Sequence, residues 1–267
     1  MANTQKRKLA LITGASDGIG YELARIFATN GYDLVVAAED QGIVEAAQAF
    51  RGLGVDVEHV KVDLAKHAGV LELYAKVQSL GRPLDVAALN AGVGVNGDFV
   101  RETRLEDELN LIHLNVISTV HLAKLVLRDM VARDEGKVLF TSSVAATIPG
   151  AFSACYNASK SFVQSFSQAI RNELKDTAIT ITALQPGPTD TNFFNRAHME
   201  DTKVGAGKKD DAAGVARDGY EALMAGKDHV VAGSVKNAAQ VLAGKVIPET
   251  TKAQMHRNMA EPGSADQ

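Results

Sequence analysis

The chain has 267 residues, enough to bury a large core, and 46% hydrophobic residues with only 5% aromatics describe an aliphatic interior of the kind built on a sheet. Its 28 basic and 32 acidic residues leave a net charge of −4, which excludes the electrostatic footprint of a nucleic-acid or anionic-membrane binder. A single cysteine, Cys155, excludes an internal disulfide framework and zinc-finger spacing.

The N-terminal segment carries the basic run Lys6-Arg7-Lys8, but the apolar stretch behind it stops at Thr13-Gly14, too short for a secretory core. Nothing along the chain is expected to approach a membrane-spanning length, so the expected compartment is the cytoplasm. Residues 8–13 then read as a strand, 19–29 as a helix, 34–37 as a strand and 43–53 as a helix. A polar-interrupted strand at 55–62, a helix at 71–80 and a strand at 86–89 follow. A long helical stretch over 105–131 precedes a strand at 138–141, a helix at 156–174 and a strand at 179–184. Helix 212–224 and a short strand at 229–231 come last. Strands apolar along their whole length, each separated from the next by a helix, are buried on both faces. That predicts an α/β fold, one doubly wound parallel sheet with helices on both faces, in a single domain over residues 1–267. Residues 188–211 mix polar residues with Phe193, Phe194 and Met199 and are expected to form a substrate lid. Lys208-Lys209 is neutralised by Asp210 and Asp211, and residues 260–267 are expected to be a disordered tail.

The first chemistry-bearing motif is Thr13-Gly14-Ala15-Ser16-Asp17-Gly18-Ile19-Gly20, between the first strand and its helix. Glycines there let the backbone turn tightly and approach a pyrophosphate, whose charge sits against the helix N-terminus. The same residues satisfy the nucleophile elbow of a serine hydrolase, with Ser16 as nucleophile, although Gly20 has no part in that reading. At the end of the second strand stand Glu39 and Asp40. Acids there bond ribose hydroxyls and repel a 2′-phosphate, so NAD is expected over NADP, with Glu39 as the principal residue.

Tyr156-Asn157-Ala158-Ser159-Lys160 places a phenol and an ammonium at i and i+4 on one helical face. A phenol has a pKa near 10, and a neighbouring cation brings its phenolate toward working range. Thr141-Ser142-Ser143 ends one strand, Asn90-Ala91-Gly92 another, and Pro186-Gly187-Pro188-Thr189-Asp190-Thr191 follows a third. In a parallel sheet all of these reach the carboxyl edge, where ligands bind. Cys155 is expected to be a small core-facing residue. The glycosylation sequon at Asn157 is read as coincidental, and the histidines show no paired metal-ligand spacing.

Together, over residues 8–191, these motifs resemble the short-chain dehydrogenase/reductase family. The resemblance implies a Rossmann-like domain and an NAD(H)-dependent alcohol/ketone oxidoreductase, assembled as a homodimer or homotetramer through the helices around 105–131 and 153–174. Tyr156 becomes the acid/base, and Lys160 binds the nicotinamide ribose and lowers the tyrosine pKa. Ser143 holds the substrate oxygen, Ser142 supports the strand end, and Asn115 holds a water that extends the proton relay. Asn90, Ala91 and Gly92 line the adenosine side, Asp63 with Leu64 the adenine edge, and Pro186, Gly187, Thr189 and Thr191 the nicotinamide side. The lid and Val144, Ala145 and Ala146 imply a mainly apolar substrate pocket. A lyase or epimerase retaining NAD, or an idle NAD-binding protein, would use the same scaffold.

Overall fold

A computed structural model describes residues 7–243 and 247–266. Lys6 of the basic run and Gln267 of the expected tail lie outside the described residues. In chain order the elements are β1 (Leu9–Thr13), α1 (Gly18–Thr29), β2 (Asp33–Ala38), α2 (Gly42–Arg51), β3 (Val57–Lys61), α3 (His67–Ser79) and β4 (Val86–Leu89). Next come α4 (Leu105–Ile112), α5 (Ser118–Arg133), β5 (Gly136–Thr141), α6 (Ala154–Glu173) and β6 (Ile179–Pro186). The chain continues through α7 (Phe193–Arg196), α8 (Lys203–Ala206), α9 (Ala212–Met224), β7 (His229–Ala232), α10 (Val235–Ala243) and α11 (Glu249–Ala260).

The strands form one seven-stranded sheet in the order β3-β2-β1-β4-β5-β6-β7, and every neighbouring pair is parallel. Residues of β1 are fully buried but divide by parity. Ala10 and Ile12 join Leu23 and Phe27 of α1, Phe50 of α2 and Leu223 of α9. Leu9 and Leu11 join Leu73 of α3, Val126 and Met130 of α5 and Val163 of α6 on the opposite face. The two-residue strand period thus feeds two cores, one under each helical layer. Strand order reverses between β1 and β4, and this reversal opens a crevice at their carboxyl ends.

Two expectations need correction. The run Leu105–Arg133 is long enough and contains an 18-residue stretch, of mean hydropathy 1.3, apolar enough to meet the length and composition of a membrane span. Its Leu122, Ala123, Val126 and Met130 face packs on the sheet, while Leu105, Leu109 and Ile117 are exposed. The helical stretch expected over 105–131 is present, and a π-helical turn at His113–Ile117 joins α4 to α5 within it. Lastly, the described part of the expected disordered tail is docked: Gly263 N donates to Asp201 Oδ2 at 2.8 Å, Lys203 N to Ser264 Oγ at 3.0 Å, and Ala265 N to Asp201 O at 2.9 Å. Ala260 is buried with Phe194 and Met199. These main-chain bonds and that apolar seat order a segment whose Gly- and Pro-bearing composition suggested otherwise.

Phe27 is wholly buried and meets Tyr32 and Tyr220 edge-on, with ring centroids at 5.2 and 5.1 Å, which joins α1 to α9. Phe27→Ala is expected to lower stability by about 3–5 kcal/mol in chemical denaturation, and a loss below about 1 kcal/mol would show that this seam does not carry the load assigned to it.

Candidate active site

The carboxyl ends of β1, β2, β4, β5 and β6 surround a cavity of about 280 Å³. Its floor is the glycine loop. Gly14, at φ +67°, and Ala15 donate to Ala37 O at 2.8 and 3.2 Å, folding the loop against β2. A Cβ on Gly20 would lie 2.0 Å from Gly14 O, so no larger residue allows this closure. The first-turn amides of α1 have no partners within the helix and sit at the cavity. Asp17 caps that helix: it accepts from Gly18 N at 2.7 Å and reaches Asn192 N of the lid at 3.3 Å. Asn90 ties three strands together, its N and Nδ2 donating to Thr13 Oγ1 and O, its Oδ1 accepting from Thr141 Oγ1.

At the end of β2, Glu39 is exposed on the cavity wall. Asp40 is engaged: it accepts from Ser16 Oγ at 2.7 Å and from Gly42 N at 2.9 Å, and the guanidinium of Arg196 stands 3.8 Å away. The nucleophile-elbow reading fails on the same bond, because the Ser16 hydroxyl is given directly to a carboxylate, with no imidazole between them. Val62 and Leu64 line the wall, but Asp63 is not brought to it. The Asp63 carboxylate accepts from Ala65 N at 2.9 Å and pairs with Lys66 at 3.2 Å, closing its own turn instead of facing an adenine.

Opposite the loop, α6 presents Tyr156 and Lys160. Burial pushes the Tyr156 phenol up to about 12, against the weaker lowering effect of the Ser143 hydroxyl. Burial pulls the Lys160 ammonium down to about 8. Lys160 Nζ donates to Thr141 O at 3.0 Å and lies 5.8 Å from the Tyr156 ring centre. Ser142 Oγ donates to Lys160 O at 3.0 Å, binding α6 to the end of β5. Ala145 N donates to Ser143 Oγ at 3.1 Å, which fixes the hydroxyl at the head of the following turn.

Asn115 is buried in the π-turn and its amide is fully used. Oδ1 accepts from Val93 N at 3.0 Å, while Nδ2 donates to Val93 O at 2.9 Å and to Ser159 Oγ at 3.0 Å. The side-chain amide thus braces α6 against the strand-end loop, which leaves the main-chain oxygen as the Asn115 atom open to a water. Gly92 leaves room for the approach, since a Cβ there would stand 3.1 Å from Asn115 Oδ1 and 3.2 Å from Lys160 Nζ.

Pro186, Gly187, Thr189 and Thr191 form the wall beyond β6. The segment after them, tied back by the Thr189–Asp210 bridge, folds over the cavity. Phe193 meets the Tyr156 ring at a centroid distance of 5.2 Å, and Phe194 is buried beside Met199. Cys155 is half-buried and turned toward Glu108, and burial together with that carboxylate pushes its thiol up to about 11, far from a reactive thiolate. Residues that sequence reasoning missed also line the cavity: Val93, Ile148 and Arg196, and from α11 His256 and Met259. No local motif marks them; they arrive by tertiary packing.

A sequence model described as short chain dehydrogenase matches residues 8–201. The NADP-dependent 3-hydroxy acid dehydrogenase YdfG of Salmonella typhi is 29% identical over 201 residues, covering 75% of this chain and 80% of its own. Among solved structures, a short-chain dehydrogenase from Sphingobium yanoikuyae in complex with NADPH superposes with a TM-score of 0.79 at 28% identity, covering 89% of this chain and 93% of its own. A short chain dehydrogenase/reductase from Burkholderia phymatum in complex with NAD shares the fold, with a TM-score of 0.80 at 24% identity over 96% and 98% of the two chains.

The depressed Lys160 pKa fixes a sign. Between about 8 and its ordinary 10.5 the unfolded chain binds the proton that the folded chain has released, so this residue's contribution to stability rises with pH across that window. In cofactor-free protein, the stability difference between wild type and Lys160→Met should therefore move in favour of the wild type as pH increases from 8 to 9.5 in parallel denaturation series. A flat difference would remove the desolvated ammonium from the account.

Proposed function

The chain belongs to the short-chain dehydrogenase family of oxidoreductases, and from that premise we propose that it moves a hydride between NAD(H) and an alcohol/ketone substrate, with Tyr156 as general acid/base. The observation that carries this reading is the meeting of Ser143, Tyr156 and Lys160 in the same cavity as the glycine loop.

A dinucleotide fits the residues present. The loop between β1 and α1 offers amides and a backbone cradle that a Cβ would fill at Gly20. Glu39 suits the adenosine ribose, Asn90, Ala91 and Gly92 the base side of the crevice, and Lys160 the nicotinamide ribose. When bound, the cofactor supplies the hydride acceptor or donor. In oxidation, Tyr156 takes the substrate hydroxyl proton while Ser143 donates a hydrogen bond to the same oxygen. Lys160 keeps positive charge beneath the phenolate. A proton leaving toward solvent passes Lys160 and the main-chain oxygen of Asn115, which accepts from Thr119 Oγ1 at 2.9 Å and has a second lone pair for a water. Reduction runs the same transfers in reverse.

NAD is favoured over NADP on charge. Glu39 carries an exposed negative charge where a 2′-phosphate would lie, while Asp40 is occupied by Ser16 and stands near Arg196. The relatives named above include both cofactor types, so the residues at this strand end carry the choice. Assembly with a second copy is supported by the exposed Leu105, Leu109 and Ile117 near α4–α5 and by Phe162 of α6.

Three measurements check the proposal. Tyr156→Phe is expected to lower kcat by about 10²–10⁴-fold in nicotinamide absorbance assays over a panel of alcohols and ketones, with cofactor affinity retained. Activity that survives the change, or no net change in nicotinamide absorbance with any substrate, points to redox-neutral chemistry on this scaffold. NADH should bind more tightly than NADPH, and Glu39→Gln should narrow the gap; tighter NADPH binding by the wild type overturns the charge argument. In light scattering, Leu109→Glu combined with Phe162→Glu should reduce a dimer or larger species to monomer.

A further inference from the structure

One group at the substrate end of the cavity has no part in the transfer chemistry. His256, on α11, is buried and lines the cavity wall together with Met259 of the same helix. Its Nδ1 stands 2.8 Å from Ala151 O. A carbonyl can only accept, so Nδ1 carries the hydrogen and the tautomer is fixed. Burial also pushes the imidazole pKa below its ordinary value, against the weaker raising effect of that carbonyl. The ring is therefore neutral, and Nε2 is left as an acceptor. Among the described residues nothing bonds Nε2, and it is not one of the sealed, unsatisfied polar atoms.

The surroundings of this acceptor are apolar. Ile148, Phe193, Met199, Val204 and Met259 line the same cavity, and of its polar lining Ser153 is spent on Asn96 and Asn157 Nδ2 on Ile148 O. The helix that carries it is held in place independently: Asn96 Nδ2 donates to Ala260 O at 3.2 Å, and Ser153 Oγ donates to Asn96 Oδ1 at 2.9 Å. A lone acceptor of fixed direction on a greasy wall selects ligands by the penalty of leaving it unpaired. Building on the oxidoreductase reading, we propose that His256 Nε2 is a specificity-determining acceptor. It recognises a second hydroxyl on an apolar alcohol or ketone substrate, away from the reacting carbon.

The matched probes are 4-(4-hydroxyphenyl)butan-2-one and 4-phenylbutan-2-one, which differ only in a distal hydroxyl. Calorimetric titration of each into the wild-type protein, His256→Phe and His256→Gln reads binding without turnover. The wild type should prefer the hydroxylated ketone about five- to tenfold. The ratio should fall to near one in His256→Phe and recover in part in His256→Gln, whose amide oxygen restores an acceptor. Recovery by the second variant separates recognition from a merely structural role of the ring. Equal affinities in the wild type, or a preference that persists in His256→Phe, overturns the assignment. Discrimination in binding leaves the acceptor role standing even where the Tyr156→Phe assay overturns the oxidoreductase reading, so the two failures are distinguishable.

Discussion

The structure depends on a buried ammonium. Among the described residues no carboxylate pairs with Lys160; its Nζ rests on Thr141 O at 3.0 Å, one helical turn from a phenol whose own ionisation burial opposes. Burying an ammonium without a counter-charge is costly. The cost is tolerated where the neighbouring elements hold the site in place, and that is what the surrounding bonds do. Ser142 fixes α6 to the end of β5, Asn115 braces it through Ser159, and Gly92 leaves the space in which these groups meet. The pair is arranged so that a phenolate and an ammonium stabilise each other only when both charges are present, which is the requirement of an acid/base pair working near neutral pH.

The sheet turns this local arrangement into a site. Its strand order reverses between β1 and β4, so the glycine loop from one half and Ser143, Tyr156 and Lys160 from the other face one crevice. Phe193, from the segment after β6, then touches the tyrosine ring, and α11 adds His256 and Met259 to the cavity wall. The glycine loop, the Ser143, Tyr156 and Lys160 cluster and the wall with His256 come from three separate parts of the chain and line one cavity.

Much of this was legible in the residues. The uniformly apolar strands could only be buried on both faces, and glycine spacing plus a Tyr-x-x-x-Lys pair picked out a loop and a helix that line the same cavity. What was not legible followed from tertiary choices. Nothing local says that Asp63 will spend its carboxylate on Ala65 N, or that the Asn115 amide will be consumed by Val93 and Ser159. Helices α10 and α11 escaped because α11 is polar over much of its length and presents no clean apolar stripe; only Lys252, His256 and Ala260 are buried on it. Since His256 and Met259 are carried there, that part of the cavity wall was invisible in the sequence. The apolar run Leu105–Arg133 shows the opposite error: its composition mixes a face that packs on the sheet with one left exposed.

The most direct measurement is a spectrophotometric titration of the phenol, taken as the difference between wild type and Tyr156→Phe near 295 nm, with and without oxidised nicotinamide cofactor. The account predicts that Tyr156 ionises near pH 12 in the cofactor-free protein and several units lower once a positive ring lies beside it. A titration that starts in the ordinary range, or one that the cofactor leaves unmoved, would contradict it.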